Sequence, residues 1–238
     1  MFFILFLFAC QVFYYEDQTV KEMEIAKVSQ SYNTGISRAI DSSVRVDVYD
    51  GGFRVGHGSG NYFMIGSKKF VITASHVVEG SQRVVLTERN GNMVPAKVLW
   101  ANLDSDVAIL LPLNTLEFTK ASSYVNSKGI DLNGKTFHFH GYPSEHDGLL
   151  MRGFVCRTEY SRIILQSNAW FGSSGSVVFD QVGRAVGIVH AITLEINPIT
   201  RMPTFVDTIV VVNRLYDLNR KDILGILRDE ETNSRNPD

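Results

Sequence analysis

Residues 170–179 have the sequence WFGSSGSVVF, a cluster of glycine and serine between two aromatic residues and an apolar run. Glycines on either side of a hydroxyl let the backbone turn sharply, so that the hydroxyl and nearby amide N–H groups can point into one space. Acyl transfer needs this combination of a nucleophile and donors for a developing oxyanion. Because serine and glycine also cluster in ordinary turns, the cluster indicates chemistry only if the chain supplies a base and an acid.

On both sides of this cluster, the chain consists mainly of short predicted strands separated by turns. In residues 43–113, polar and apolar residues alternate, as in SVRVDVY at 43–49, and predict six strands. Residues 135–212 predict six more, and the polar residues 114–134 suit a connection between the two halves. Short strands at this spacing indicate closed barrels or a sandwich.

The ends of the chain differ from this β-rich body. Residues 16–42 carry apolar residues at roughly helical spacing and predict a helical spacer, and residues 213–228 predict a C-terminal helix. Residues 229–238 are predicted to form a solvated, disordered tail.

Residues 1–15, MFFILFLFACQVFYY, contain no charged side chain. As a helix they would span about 22 Å, which is short for a membrane span. A secretory signal, a short anchor and a buried core segment all remain open, and residues 7–10 resemble a bacterial lipoprotein box in which Cys10 would be lipidated. We expect an exported or membrane-attached protein, whether periplasmic, extracellular or membrane-anchored.

The composition, the net charge and the cysteine spacing give no support to several classes of function. The 238 residues are 45% hydrophobic and carry a formal net charge of −2, which gives no electrostatic reason to expect nucleic acid as a partner. The two cysteines, Cys10 and Cys156, have no spacing typical of a metal site or a disulfide framework. His138 and His140 share a strand face and His146 follows, but no further ligand is clearly placed, so no metal site is predicted.

Serine-based acyl transfer requires a base beside the hydroxyl and a carboxylate that orients the base. His76 ends an apolar strand where the chain must turn, and Asp106 directly precedes another apolar strand, with Asp104 as a competitor. Together with Ser174 they follow the order His–Asp–Ser, one of the known orders of a catalytic triad.

The segments around these residues resemble trypsin-like serine peptidases of the chymotrypsin fold. TASHVV resembles the Thr-Ala-x-His signature, SDVAIL resembles the aspartate segment of HtrA-type proteases and glutamyl endopeptidases, and GSSGS is similar to Gly-Asn-Ser-Gly-[Gly/Ser]. GSG, GYP and GRAVGI are similar to further segments of the family. These six matches lie in order between residues 43 and 212, at 58–60, 73–78, 105–110, 141–143, 172–176 and 183–188.

The resemblance implies an all-β fold of two perpendicular six-stranded antiparallel β-barrels with the active site in the cleft between them. It implies that Ser174 is the nucleophile, His76 the general base and Asp106 the group that orients His76. The backbone N–H groups of Gly172 and Ser174 would form the oxyanion hole, and no cofactor would be needed. Ser173 offers a second hydroxyl, but its place in the motif makes it a poor nucleophile.

By the same resemblance, the substrate pocket would be walled by Asn168, Val189, His190 and Ala191. Asn168 stands where an aspartate would favour arginine or lysine, so we expect a small or medium apolar substrate side chain. Glutamyl endopeptidases carry a pocket-facing histidine directly after Gly-Ile, whereas here Val189 holds that place and His190 follows. Since successive strand residues face opposite sides, the offset predicts that His190 turns away from the pocket.

The leading hypothesis is therefore a serine endopeptidase acting on protein or peptide substrates, as a monomer or weak oligomer. The alternative is a protease-fold binding module with little or no turnover. Trp170 and Phe171 are expected to pack the barrel edge, and Cys156 to lie in the core.

Overall fold

The computed structural model describes residues 34–144, 146–196, 198–215 and 217–235. The leader predicted at residues 1–15 and most of the spacer predicted at 16–42 lie outside the described residues, as do residues 236–238 at the end of the predicted tail. Over the described ranges, no helix combines the length and the apolar character needed to cross a membrane.

The first half of the chain forms a six-stranded antiparallel barrel. Its strands pair in the order β1-β4-β5-β6-β3-β2, and a further pairing between β1 and β2 closes the barrel. A two-residue strand, β7 (Ser122–Ser123), joins β2 in parallel from within the predicted connection. The strands are β1 (Ser43–Asp50), β2 (Phe53–Ile65), β3 (Lys68–Thr73), β4 (Arg83–Thr87), β5 (Met93–Asn102) and β6 (Val107–Pro112).

The second half forms another closed antiparallel barrel, in the order β10-β13-β12-β11-β8-β9. The prediction of two six-stranded antiparallel barrels is thus confirmed. The longest strands of this barrel, β12 and β13, extend beyond the predicted segments and pair as far as Ile196 with Pro203. The strands are β8 (Thr136–Gly141), β9 (Leu149–Thr158), β10 (Arg162–Gln166), β11 (Val177–Asp180), β12 (Ala185–Ile196) and β13 (Pro203–Arg214).

The larger apolar core extends across both barrels. It contains the interior of the first barrel together with residues of β11 and β12, such as Phe179, which is fully buried with its ring centroid 5.9 Å from that of Phe63. Polar contacts also cross the interface, since the Asn61 side chain accepts a hydrogen bond of 2.8 Å from the Val177 N–H. The second barrel has its own interior cluster. A site between the barrels is therefore held by shared core packing as well as by loops.

Helices occupy the margins of the barrels. The described part of α1 covers residues 34–42, and the single-turn helix α2 (Ser75–Val78) follows β3. The C-terminal helix, α3, runs over Arg220–Arg235 and not over the predicted residues 213–228. Its start is set by Asn219, whose side-chain oxygen accepts the N–H groups of Lys221 and Asp222.

The boundaries predicted for the end of the chain were therefore wrong on both sides. Residues 213 and 214 complete β13, where they pair with Ile188 and Gly187. At the other end the helix continues through residues 229–235, which were predicted to be disordered. Lys97 forms an ion pair of 2.8 Å with Glu230 and so connects this part of the helix to β5.

Cys156 is exposed, and the expectation that it lies in the core was wrong. It alternates along β9 with Val155, which is buried. Because neighbouring strand residues face opposite sides, burial of Val155 directs Cys156 to solvent.

Candidate active site

His76 is presented by α2 directly after β3. The neighbouring Ser75, Val77 and Val78 are buried, and they anchor this short helix on the first barrel. The His76 side chain is 40% exposed. The apolar neighbours therefore fix the backbone while the imidazole stays accessible at the barrel surface.

Asp106 lies in the turn before β6 and faces His76. Its Oδ1 accepts the backbone N–H of His76 at 2.9 Å, and its Oδ2 lies 2.8 Å from His76 Nδ1. The φ angle of Asp106 is +52°, a left-handed conformation that aspartate tolerates better than most residues. Asp104, the competing carboxylate, is exposed and has no such contact with His76 among the described residues.

The Asp106 carboxyl is ionised because of its hydrogen bonds. Burial by itself would raise its pKa, but donors from His190 and from the ring and backbone of His76 hold the pKa well below its ordinary value. An ionised carboxylate only accepts hydrogen bonds, so Nδ1 of His76 carries the proton. The other nitrogen, Nε2, is then free to accept a proton.

Ser174 lies in a tight turn that the first barrel holds in place. The backbone carbonyl of Ser174 accepts the Ser59 N–H at 2.7 Å, and the Gly172 carbonyl accepts the Ser59 hydroxyl, also at 2.7 Å. On the other side, the Gly175 N–H donates to the Val189 carbonyl at 2.8 Å. The turn that leads into β11 of the second barrel is therefore docked on β2 of the first barrel, next to β3, the strand that precedes His76.

Gly172 is required by the shape of this turn. Its φ is +94°, and an added Cβ would collide with the Tyr142 carbonyl oxygen and with Nε2 of His57. Among the described residues, the backbone N–H groups of Gly172 and Ser174 have no hydrogen-bond acceptor. Two amide donors without partners beside a hydroxyl are suited to bind an oxyanion.

A cavity of about 330 Å³ brings His76 and Ser174 together. Most of the other side chains that line it are apolar or aromatic. They are Ala169, Trp170, Phe171, Val189, His190, Ala191 and Ile192.

Three of the four predicted pocket residues, Val189, His190 and Ala191, line this cavity. The expectation from strand alternation that His190 turns away from the pocket was therefore wrong. Asn168 lines a neighbouring cavity with Ser173 and Asp207 instead. Trp170 and Phe171 are 42% and 58% exposed, so they wall the cavity and are not packed into a barrel edge as expected.

His190 makes a contact that the sequence did not indicate. Its Nδ1 lies 2.5 Å from Oδ2 of Asp106, and its ring is 5.7 Å from that of His76 at an interplanar angle of 79°. A β-bulge causes this contact, because Val189 pairs with Val212 and Ala191 pairs with Val211, which leaves His190 as an extra residue. The only signal in the sequence is a histidine one residue later than in glutamyl endopeptidases.

His76, Asp106 and His190 also bring three potential metal-ligand atoms, two imidazole nitrogens and one carboxylate oxygen, within 4.8 Å of one another. The Nδ1–Oδ2 separations of 2.8 and 2.5 Å are those of hydrogen bonds. A tetrahedral zinc site with bonds near 2.0–2.1 Å would place its ligand atoms roughly 3.3 Å apart. The geometry therefore fits a hydrogen-bonded network better than a shared metal.

The other histidines considered as ligands differ in their burial. His138 and His140 are buried in β8, whereas His146 is exposed. His140 is 2.7 Å from the Ser43 hydroxyl, and burial, with a contribution from Arg89, lowers its pKa to about 4. In the described part of the chain these three residues form no group of metal ligands.

Comparison with known proteins identifies a family that the chain matches. The family model described as "Trypsin-like peptidase domain" matches residues 58–188, more than half of the chain. The chain is 28% identical over 144 residues to the "Serine protease Do-like HtrA" of Lactobacillus helveticus; the match covers 55% of this chain and 34% of that protein. The chain thus spans about a third of the length of this curated relative.

A solved structure, the serine endoprotease from Yersinia pestis, has a similar fold. The TM-score is 0.67 at 18% sequence identity, and the match covers 84% of this chain and 67% of the other. At this identity the similarity concerns the fold alone.

Proposed function

The chain belongs to the family of trypsin-like peptidase domains, and we propose on this basis that it is a serine endopeptidase with His76, Asp106 and Ser174 as its catalytic triad. The observation that carries the proposal is the contact between His76 and the buried, ionised Asp106. It leaves Nε2 of His76 available in the cavity that Ser174 also lines. No cofactor takes part in this chemistry.

In the first step, Ser174 Oγ attacks the carbonyl carbon of the scissile peptide bond while its proton passes to Nε2 of His76. The carbonyl π electrons move to oxygen, and the N–H groups of Gly172 and Ser174 donate to this oxyanion. Asp106 stabilises the imidazolium because its carboxylate accepts the Nδ1–H at 2.8 Å.

In the second step, the tetrahedral intermediate collapses and the C–N bond breaks. His76 gives its proton to the leaving amine, and the acyl group remains on Ser174 as an ester. Water then attacks this ester with His76 again as the base, which releases the carboxylic acid product and restores the Ser174 hydroxyl.

The Ser174 hydroxyl has to turn before it reacts. It donates to the backbone carbonyl of His190 at 3.3 Å, and among the described residues no hydrogen bond joins it to His76. A change of side-chain rotamer would bring Oγ toward His76. Catalytic hydrogen bonds that are absent or long without substrate often form only in the complex.

The cavity supports an apolar substrate side chain. Val189, Ala191 and Ile192 line one part of it and the rings of Trp170 and Phe171 another, and apolar walls bind apolar groups. We therefore propose protein or peptide substrates with a small or medium apolar residue at the cleavage site. Export or membrane attachment through residues 1–15 and a monomeric or weakly associated state remain proposals.

A specific observation also favours the second candidate, a binding module with little turnover. The Ser174 hydroxyl bonds to His190 and not to His76, which is the arrangement expected if the hydroxyl is never activated. The two functions differ in whether Ser174 reacts with an electrophile that mimics a substrate carbonyl.

Labelling with a fluorophosphonate, detected by intact-protein mass spectrometry, distinguishes these functions. The wild type is expected to gain one adduct and Ser174→Ala none. Ser176→Ala is a matched control. The Ser176 hydroxyl is buried, lies two residues after Ser174 and has no hydrogen-bond partner within the described residues. This variant is expected to label like the wild type. A folded wild type that does not label refutes the enzyme proposal, and labelling of Ser174→Ala would move the nucleophile, with Ser173 as the first candidate.

A further inference from the structure

His190 contacts both the acid and the nucleophile of the proposed triad. Its ring donates to Asp106 from one side of the β-bulge, and its backbone carbonyl accepts the hydroxyl of Ser174 at 3.3 Å. Without the bulge, regular alternation along β12 would not place three consecutive residues, Val189 to Ala191, on the same cavity.

The Asp106 carboxylate is shared between two imidazoles. Oδ2 lies 2.8 Å from Nδ1 of His76 and 2.5 Å from Nδ1 of His190, while Oδ1 accepts the His76 N–H. Because the ionised carboxylate can only accept, both rings carry their proton on Nδ1. The negative charge that stabilises a protonated His76 is therefore divided between two donors.

The His190 ring is in contact with the Asp106 carboxylate and the His76 ring. Among the described residues, two titratable groups contact the His190 ring through hydrogen bonds, ion pairs or ring contacts. They are Asp106, from the turn before β6, and His76, from α2. The ring is 32% exposed, so it can exchange protons with solvent. A proton gained by His190 would place a positive charge beside His76.

We propose that His190 is a positioning residue that, through the shared Asp106 carboxylate, sets the pH at which His76 becomes an active base. The proposal rests on the proposed function. A neutral His190 withdraws part of the carboxylate charge from His76, and a protonated His190 repels the imidazolium of His76. Both effects favour the neutral form of His76 and keep the base active at lower pH.

The test measures the rate of fluorophosphonate labelling as a function of pH in the wild type and in two His190 variants. His190→Ala removes the donor and the charge, so we expect the midpoint of the acid limb to rise by about 0.5–1 pH unit. We also expect the maximal rate to fall about tenfold, since Asp106 is less firmly held. His190→Asn keeps an N–H donor but cannot be protonated, so its midpoint should lie between those of the wild type and His190→Ala, with the rate largely restored.

The control is His146→Asn, which changes an exposed histidine that does not contact Asp106 and should leave the midpoint unchanged. Thermal unfolding checks that each variant is folded; if His190→Ala is not, His190→Asn still has to shift the midpoint upward. Midpoints equal to the wild-type value in the folded His190 variants refute the proposal, even if their rates fall, because a purely structural role lowers the rate alone. A wild type that does not label at all instead refutes the proposed function.

Discussion

Replacement of Gly172 by alanine tests whether the turn that carries Ser174 supplies the oxyanion donors. The φ of Gly172 is +94°, and the new Cβ would collide with the Tyr142 carbonyl oxygen and with His57. The left-handed conformation alone costs a residue with a side chain about 1–2 kcal/mol. Relief of the collision requires a backbone shift, since the Tyr142 oxygen is a backbone atom, and such a shift moves the Gly172 N–H out of the site.

Gly129→Ala separates the two effects. Gly129 has a φ of +76°, but nothing lies within 4 Å of an added Cβ, so this variant has the conformational cost without the collision. We expect Gly129→Ala to lose about 1–2 kcal/mol of unfolding free energy and to keep its labelling rate. Gly172→Ala should lose at least as much stability and, in addition, about 10²–10³ in rate, the usual cost of losing one oxyanion donor.

The assay combines urea unfolding with the second-order rate of fluorophosphonate labelling at pH 8. These measurements separate a loss of stability from a loss of reactivity, because both variants are compared under conditions in which they are folded. If folded Gly172→Ala labels within a few-fold of Gly129→Ala, the Gly172 N–H is not an oxyanion donor and the assignment is wrong.

Three further predictions concern the acid, the core and the free thiol. The folded-state pKa of Asp106 is lowered, so the contribution of this carboxylate to stability is present above its unfolded pKa of about 3.9 and is lost as the pH falls toward the folded pKa. The loss of unfolding free energy in Asp106→Asn should therefore be constant above about pH 5 and shrink below about pH 4. A loss that does not depend on pH would contradict this. Phe179→Ala should cost about 3–5 kcal/mol in urea unfolding, because the ring is fully buried where the barrels share a core, and a cost below 1 kcal/mol would indicate that this core is not formed. Cys156 should react with a thiol reagent in the folded protein, with one equivalent lost in Cys156→Ser, whereas reaction only after denaturation would place the thiol in the interior.

Much of the fold could be predicted from the sequence because barrel strands leave a local signal. Alternation in segments such as SVRVDVY, together with glycine-rich turns, predicted twelve strands in two groups of six, and each group forms a closed barrel. The candidate site was predicted from the whole set of segments and not from any one of them. His76, Asp106 and Ser174 were recognised together, by their order in the chain and by the resemblance of their segments to those of trypsin-like peptidases, because no single segment is distinctive by itself.

Features that depend on a distant partner could not be predicted in this way. The last turns of α3 lie against β5 through the ion pair of Lys97 with Glu230, a contact between residues far apart in the sequence. No local pattern in residues 229–235 indicates that partner. Similarly, the exposure of Trp170 and Phe171 depends on the cavity that forms between the turn and β12.

The sequence by itself determined the chemical groups of the site: a hydroxyl between two glycines, an imidazole at the end of a strand and a carboxylate at the start of another. Only the tertiary structure decided that a second imidazole, His190, shares that carboxylate and that its carbonyl holds the hydroxyl of Ser174. The physical reason is the β-bulge, which arises from how β12 pairs with β13 and redirects one side chain toward the other barrel. Strand alternation along a single chain cannot indicate where such a pairing skips a residue.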